Sequence, residues 1–364
     1  MEKATAVVAT APKKRLEVQQ IKIPELKPNS ALIKSELAGV CGSDIHIWEG
    51  KDARTRFPLI LGHEILGKIV DISGDFKDFV GTTLRRGDRV LANPVIKCGK
   101  CPFCSLKIQP ETNCSNVSVY GITTTSKEHP FLNGGYSDHV YAIPDLSLVK
   151  VPSDVPLELA VSAGCGGPTA VKGFENINLN FDDTVVIQGA GPVAVYALLL
   201  AKEKGARVAV IAGSKSRLQV AENLGADLII NRHSTDPEKR VRLVRSFTDG
   251  LGADFVVECA GSPEAFTEGL RYARNGGTYL NLGIIFPVGG VAVEPVEFVL
   301  GQKKIVGSFA YESRHIHQVL RLIQKNRSFL RKHLIVNRYK LGEATEALED
   351  VRTRKVFKAA LEID

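Results

Sequence analysis

Cys41, His63 and Glu64 are the residues from which chemistry can first be argued. They stand in two short runs, Cys41-Gly42-Ser43-Asp44-Ile45-His46 and Gly62-His63-Glu64, joined by a loop of Gly, Pro and charged residues. A thiolate, a neutral imidazole and a carboxylate are donors that a divalent zinc ion accepts, and Cys41 and His63 are far enough apart to converge from different elements. Such a pair is two-thirds of a metal site with an open position. There a substrate oxygen would lose its proton near neutral pH, as zinc brings bound water to a pKa of about 7. In isolation the pair reads more readily as a buried thiol and a surface histidine; further groups reverse that preference.

The second group is Cys98-x-x-Cys101-x-x-Cys104 followed by Cys114, in a lobe at about residues 95–116. Four thiolates close a tetrahedral shell and leave no place for substrate, so the expectation is a structural zinc. A redox role for the C-x-x-C pairs fits poorly, since no thioredoxin-like strand and helix surround them.

The third group is Gly189-x-Gly191-x-x-Ala194, with Pro192 and Val193 inside it, directly after the strand-like run Thr184 to Gln188. The glycines permit a tight turn and close approach of a pyrophosphate to a helix N-terminus. The next strand ends at Ile211 and runs into Ala212-Gly213-Ser214-Lys215-Ser216-Arg217, without the acid that would bind ribose hydroxyls. A 2′-phosphate is therefore not repelled, and Ser214, Lys215 or Arg217 can bind it; the lean is to NADP over NAD, against the plainer reading of surface charges at a helix start.

These groups need elements to position them. At 364 residues the chain is too long for one core and suggests two domains. Up to about Pro152 it is rich in Gly, Pro and short β-prone runs such as Lys68 to Ile72 and Arg89 to Ala92, which reads as an irregular, mostly β domain. Beyond Asp154, strand-like runs at Thr184 to Gln188, Arg207 to Ile211, Asp227 to Ile230, Asp254 to Glu258, Thr278 to Leu282 and Lys304 to Gly307 alternate with helical stretches. That rhythm builds right-handed βαβ units and a parallel sheet, an α/β fold. Helices near His315 to Lys325 and Gly342 to Arg352 and a strand at Val356 to Glu362 follow.

No apolar run approaches the roughly 20 residues a membrane span needs, and Met1-Glu2-Lys3-Ala4 opens no signal-like segment, so a cytoplasmic protein without a membrane partner is expected. Six of the seven cysteines fall in metal-like groupings, which a reducing compartment favours over disulfides; Cys259 stands alone. The net charge of +7 comes from scattered Lys and Arg, which argues weakly for nucleic acid; none is expected as a partner.

Cys41-Gly42-Ser43-Asp44-Ile45-His46, Gly62-His63-Glu64, the four-cysteine lobe, Gly164-Cys165-Gly166 and Gly189-Ala190-Gly191, in this order across nearly the whole chain, resemble the zinc-dependent medium-chain alcohol and polyol dehydrogenases, threonine and sorbitol dehydrogenase-like members included. The resemblance implies a GroES-like catalytic domain over residues 1–166, a Rossmann domain with a doubly wound six-stranded parallel sheet over 167–307, and a segment 308–364 returning to the first domain. It implies one catalytic and one structural zinc per chain, with Cys165 as third ligand beside Cys41 and His63, and Glu64 as an alternate or water-exchanging ligand. Asp44 is the natural partner holding His63. Ser43 would accept the proton of the zinc-bound alcohol and His46, three residues on, would pass it outward, leaving an alkoxide whose charge the metal stabilises. Gly261, Leu282 and Gly283 are placed along the cofactor, and Lys358 near its pyrophosphate. Gly42 stands where some relatives carry a phosphate-binding Arg, so those contacts must come from elsewhere.

The expected activity is reversible hydride transfer from an alcohol, first a polyol or secondary alcohol, to NADP or NAD. A non-catalytic NADPH-binding member of the same fold is the alternative. Trp48 is expected either at the substrate pocket or in the core. A homodimer or homotetramer is expected, with Gly283 to Val293 extending the sheet across a two-fold axis or forming a plain edge.

Overall fold

The computed structural model describes residues 2–108 and 111–363; Met1, Asp364 and, within the cysteine lobe, Gln109 and Pro110 lie outside the described residues. The chain forms two compact units, Met1–Pro168 with Tyr311–Asp364, and Thr169–Ala310.

The first unit is built on a seven-stranded sheet. Its central strand, Ser30–Val40, pairs antiparallel with Glu64–Ser73 on one side and Lys358–Glu362 on the other. The strand near the C-terminus therefore lies two places from the strand that begins at Glu64, which brings Lys358 and Glu64 into one neighbourhood. Beyond Lys358–Glu362 the edge is a parallel strand, Val336–Lys340, which the sequence pattern did not reveal. Its residues Asn337, Arg338 and Lys340 lack the apolar alternation that marks a strand, and its partner supplies the ordering. A three-stranded sheet joins Lys3–Ala9 to Glu17–Lys22 and Leu59–Ile60, and its inner face shares a core with Ile45, Ile47, Trp48 and Leu348. Trp48 is thus a core residue whose indole N–H donates to the Lys14 carbonyl at 2.7 Å.

In the second unit six strands run parallel in the order Leu228–Asn231, Arg207–Ala212, Thr184–Gln188, Ala253–Glu258, Ala273–Asn281, Lys304–Gly307. Thr184–Gln188 is buried along its whole length, as a strand covered on both faces must be. The helix Pro192–Glu203 packs across Thr184–Gln188 and Arg207–Ala212. Chain order reverses between Thr184–Gln188 and Ala253–Glu258, and the crevice beyond such a switch point is where open α/β sheets bind ligands.

Candidate functional site

Cys41 leaves the Ser30–Val40 strand in an extended conformation and opens the helix Gly42–Trp48. Its own N–H donates to Asp44 Oδ2 at 2.8 Å, while the Asp44 N–H donates back to the Cys41 carbonyl at 3.1 Å. This closed turn fixes the thiol. The buried Asp44 carboxylate also reaches His63, with Oδ1 3.0 Å from Nδ1, and accepts the Tyr136 hydroxyl at 3.3 Å. In the neutral ring that a metal would require, Nδ1–H is committed to Asp44 and the lone pair of His63 falls on Nε2, a buried atom that makes no hydrogen bond. Burial is the largest single influence and lowers the His63 pKa, but the Asp44 carboxylate and Cys41 together raise it well above the usual imidazole value.

Cys41 Sγ and Cys165 Sγ are 3.9 Å apart, and no disulfide joins them. Two sulfurs at tetrahedral vertices around an ion, each about 2.3 Å from it, are separated by about 3.8 Å. Contact with Cys165 and then the positive charge of His63 hold the Cys41 thiol well below its ordinary pKa, so a thiolate is at hand. Donor atoms of Cys41, His63, Glu64 and Cys165 all lie within 4.8 Å of one another. A buried thiolate, a second thiol, an aimed imidazole nitrogen and a carboxylate form a donor set that fits zinc.

Glu64 has a second partner. Both its oxygens lie 2.6 Å from Lys358 Nζ, which also donates to the Val40 carbonyl at 3.2 Å. Lys358, expected near a pyrophosphate, is 3% exposed and pairs with Glu64, because register sets its strand beside Val40. The pairing also requires Gly39. Gly39 lies opposite Glu64, and a Cβ there would sit 1.8 Å from Glu64 Oε2. Burial pushes the Glu64 pKa up to about 7 against the pull of Lys358. Burial is the largest single influence and depresses Lys358, but Glu64 with Cys41 and Cys165 more than offsets it and keeps the amine charged.

Ser43 Oγ is 3.8 Å from Cys41 Sγ, beside the donor cluster. His46 lies one helical turn on, half-exposed, with Nδ1 4.0 Å from Glu49. Burial, and then Lys51, lower its pKa, so it is neutral at pH 7 and able to accept a proton.

In the lobe, donor atoms of Cys98, Cys101, Cys104 and Cys114 also lie within 4.8 Å of one another, with Sγ–Sγ separations of 3.5 Å for Cys101–Cys104 and 3.9 Å for Cys101–Cys114. Backbone N–H groups of Ser115 and Cys104 bring the Cys101 pKa down to about 6. The four thiols fit a second zinc with no open position.

In the second unit, Gly189 turns at φ 104° off the end of its strand and Gly191 caps the helix Pro192–Glu203, with Val193 and the buried Ala194 in its first turn. Arg217 Nη1 lies 3.8 Å from where a Cβ on Gly191 would be, so a guanidinium faces this turn. Ser214, two residues beyond the strand end at Ala212, caps the helix Lys215–Asn223. His233 Nε2 and Arg232 Nε come to 2.5 Å and 3.2 Å of the Cβ position of Gly213. These two were missed, because only the pairing of Leu228–Asn231 beside Arg207–Ala212 delivers them there. Also missed was Glu258, buried at the strand end, whose Oε1 accepts the N–H groups of Ala260 and Gly261 at 2.6 Å each and whose Oε2 accepts that of Gly283 at 3.2 Å. It ties the Gly261 and Gly283 turns together. Leu282 sends its side chain inward to Gly173, 2.7 Å from that residue's Cβ position, and so offers a ligand only backbone.

Residues 27–153 match the alcohol dehydrogenase GroES-like domain, and residues 192–325 match the zinc-binding dehydrogenase family. The chain is 32% identical over 354 residues to a 5-exo-hydroxycamphor dehydrogenase of Pseudomonas putida, covering 96% of each protein. It is 34% identical over 274 residues to an L-threonine 3-dehydrogenase of Symbiobacterium thermophilum, covering 73% of this chain and 71% of that one. Its fold superimposes on an alcohol dehydrogenase from Thermotoga maritima with a TM-score of 0.94, at 36% identity over 100% of both chains.

Proposed function

The chain belongs to the zinc-binding dehydrogenases with an alcohol dehydrogenase GroES-like domain, zinc enzymes that oxidise or form alcohols with NAD(P), and from that premise we propose that Cys41, His63 and Cys165 hold its catalytic zinc and that it turns over a secondary alcohol or polyol. The observation that carries this reading is the convergence of four donor atoms around the buried, otherwise unbonded Nε2 of His63. When bound, zinc supplies the Lewis acidity that makes an alcohol hydroxyl acidic near neutral pH, and the nicotinamide takes up the hydride.

The protein's own part is orientation and proton movement. Asp44 fixes the His63 tautomer, and Tyr136 fixes Asp44. Ser43 accepts the hydroxyl proton of the substrate and His46 relays it to solvent. Glu64, held back by Lys358, stands as an alternate ligand. Ser43→Ala is expected to lower kcat roughly 10²-fold with zinc content unchanged, the usual scale for loss of a positioned proton acceptor. Equal turnover in steady-state assays would remove Ser43 from the relay.

The names of the relatives, a hydroxycamphor and a threonine 3-dehydrogenase, fit a secondary alcohol. Polyols, amino alcohols and simple alcohols assayed by nicotinamide absorbance with both cofactors test this; activity confined to primary alcohols, or absent throughout, would overturn it. For the cofactor we favour NADP, held at its 2′-phosphate by Ser214, Lys215 and Arg217 with Arg232 and His233 closing the same end of the sheet. Lys215→Ala with Arg217→Ala should raise KM for NADP at least roughly tenfold, as loss of charge-assisted hydrogen bonds does, and leave KM for NAD unchanged. Equal effects on both would defeat the assignment.

Among the described residues no helix is long and apolar enough to cross a membrane. We place the protein in the cytoplasm, where thiols stay reduced, and none of the seven cysteines forms a disulfide; secretion of the native protein would exclude that. We also infer a homodimer or homotetramer. Lys304–Gly307 is an edge strand, and Val299, Leu300, Ile305 and Phe309 around it expose apolar side chains. A monomeric mass by light scattering would refute this.

A further inference from the structure

The strand Leu228–Asn231 ends beside the turn that follows Arg207–Ala212, and the segment after it, Arg232 to Thr235, carries the two side chains that close over Gly213. Gly213 leaves them room, since a Cβ there would lie 2.5 Å from His233 Nε2. Arg232, His233 and Ser234 are exposed, and a segment this short and polar has little apolar surface with which to hold a position. Hydrogen bonds hold it instead. The Arg232 N–H donates to the Ala212 carbonyl at 2.9 Å, the His233 N–H to Asn231 Oδ1 at 2.9 Å, and the Thr235 hydroxyl to the Asn231 carbonyl at 2.8 Å. Asp236 then caps the helix Pro237–Phe247, its Oδ1 accepting the Lys239 N–H at 2.7 Å.

A further tie comes from that helix. Arg240 is buried, and its guanidinium reaches back to the segment: Nη1 donates to the Arg232 carbonyl at 3.0 Å and to the Thr235 carbonyl. Nε and Nη2 of the same fork meet the two oxygens of Glu268 on the helix Pro263–Tyr272, Nη2 at 2.8 Å, and the Tyr272 hydroxyl donates to that carboxylate. A guanidinium is planar and presents its donors in fixed directions, so joining a carboxylate to two carbonyls sets the distance between helix and segment as a flexible amine cannot. Glu268 also neutralises Arg240. The clamp therefore supplies position, and the charge at the turn is left to Arg232, Lys215 and Arg217.

Resting on the reading that the 2′-phosphate of NADP binds at this turn, we propose that Arg240 is a positioning residue for cofactor choice: it fixes the segment Arg232 to Thr235 so that Arg232 and His233 stand over Gly213 before the phosphate arrives. Order already present in the free protein is order the ligand need not impose, and the gain appears in affinity. The gain belongs to the phosphorylated ribose, because the segment's side chains serve that group.

The test uses the adenosine halves of the two cofactors, adenosine 2′,5′-bisphosphate for NADP and adenosine 5′-monophosphate for NAD, titrated calorimetrically into the zinc-loaded protein so that turnover does not enter. The parent is expected to bind the bisphosphate more tightly. Arg240→Lys keeps a charge against Glu268 but cannot span both partners. It should weaken the bisphosphate roughly tenfold, the size of one lost hydrogen bond to a charged group, and leave the monophosphate unchanged. In protein already carrying Arg232→Ala and His233→Ala the same substitution should have no further effect, because nothing remains for it to position. An unchanged preference, an equal weakening of both nucleotides, or an undiminished effect in that background would overturn the role of Arg240; a lowered Tm with the preference intact marks mere packing. Where Arg240→Lys does not fold, Glu268→Gln keeps the shape of the carboxylate and loosens the fork, and it must show the same selective loss at smaller size or the role is overturned. A parent that binds both nucleotides equally removes the 2′-phosphate reading, and the inference falls with it. A parent that prefers the bisphosphate, with that preference surviving in Arg240→Lys, sinks the inference alone and spares the reading.

Discussion

Replacement of His63 by Ala is expected to lower kcat at least about 10³-fold and to take one of the two zinc ions from the chain. A metal acting as Lewis acid supplies several kcal/mol of barrier lowering, and each 1.36 kcal/mol is tenfold in rate. Of the proposed ligands His63 is the least replaceable by its surroundings: its Nε2 is buried and unbonded, and its Nδ1 is already held by Asp44. Asp44→Asn tests the same geometry more gently, since the amide can present an N–H to the ring and favour the wrong tautomer; a loss of roughly 10- to 100-fold in metal affinity or activity is the scale for such partners. Native mass spectrometry separates this centre from the lobe. Cys101→Ser should lose the other ion and reduce stability first, as a closed structural site requires. If the His63 variant keeps two zinc ions and full turnover, the centre has been wrongly placed.

The second large effect is expected from Lys358→Met. Glu64 and Lys358 are 1% and 3% exposed, and removal of the amine leaves a buried carboxylate without its partner. Such a broken buried pair costs about 3–5 kcal/mol. Glu64→Gln with Lys358→Met should recover part of the loss, because a neutral amide is cheaper to bury than an unpaired charge. The pH dependence has a defined sign in chelator-treated protein. Burial sets the native Glu64 pKa at about 7, and Lys358 opposes that rise. Without Lys358 the pKa goes higher, so above about pH 7 the variant's native state holds a proton the parent has released. Its stability must then fall relative to the parent as pH rises through that window, and below it the gap should be flat. Urea unfolding from pH 6 to 9 reads this directly; a gap that narrows with rising pH would contradict the buried ion pair.

Both predictions depend on contacts that the sequence shows unequally. Cys41, His63 and the four lobe cysteines were legible because ligand chemistry restricts them to Cys and His, and their spacing is local. Gly189 to Ala194 and the parallel order of six strands were legible for the same reason, a periodic pattern of short range. Asp44 was named as the partner of His63 once the resemblance had supplied the ligand set, and the structure puts its carboxylate 3.0 Å from His63 Nδ1 with Tyr136 behind it. Trp48, open between pocket and core, goes to the core because its helix packs against Leu348 and the three-stranded sheet.

By itself the sequence determined which donors exist, that two metal groups are separate, and that a dinucleotide turn follows them. Only the tertiary structure decided what stands behind those donors. Lys358 meets Glu64 across 294 residues because three strands share a register and Gly39 leaves room between them. Arg232 and His233 reach Gly213 by strand order, and Tyr311 meets the Gly164 carbonyl by the return of the chain to the first unit. Ligand identity is written in side-chain chemistry and can be read one residue at a time. The partners that tune those ligands are chosen by strand pairing between distant segments, and a one-residue slip would replace every one of them.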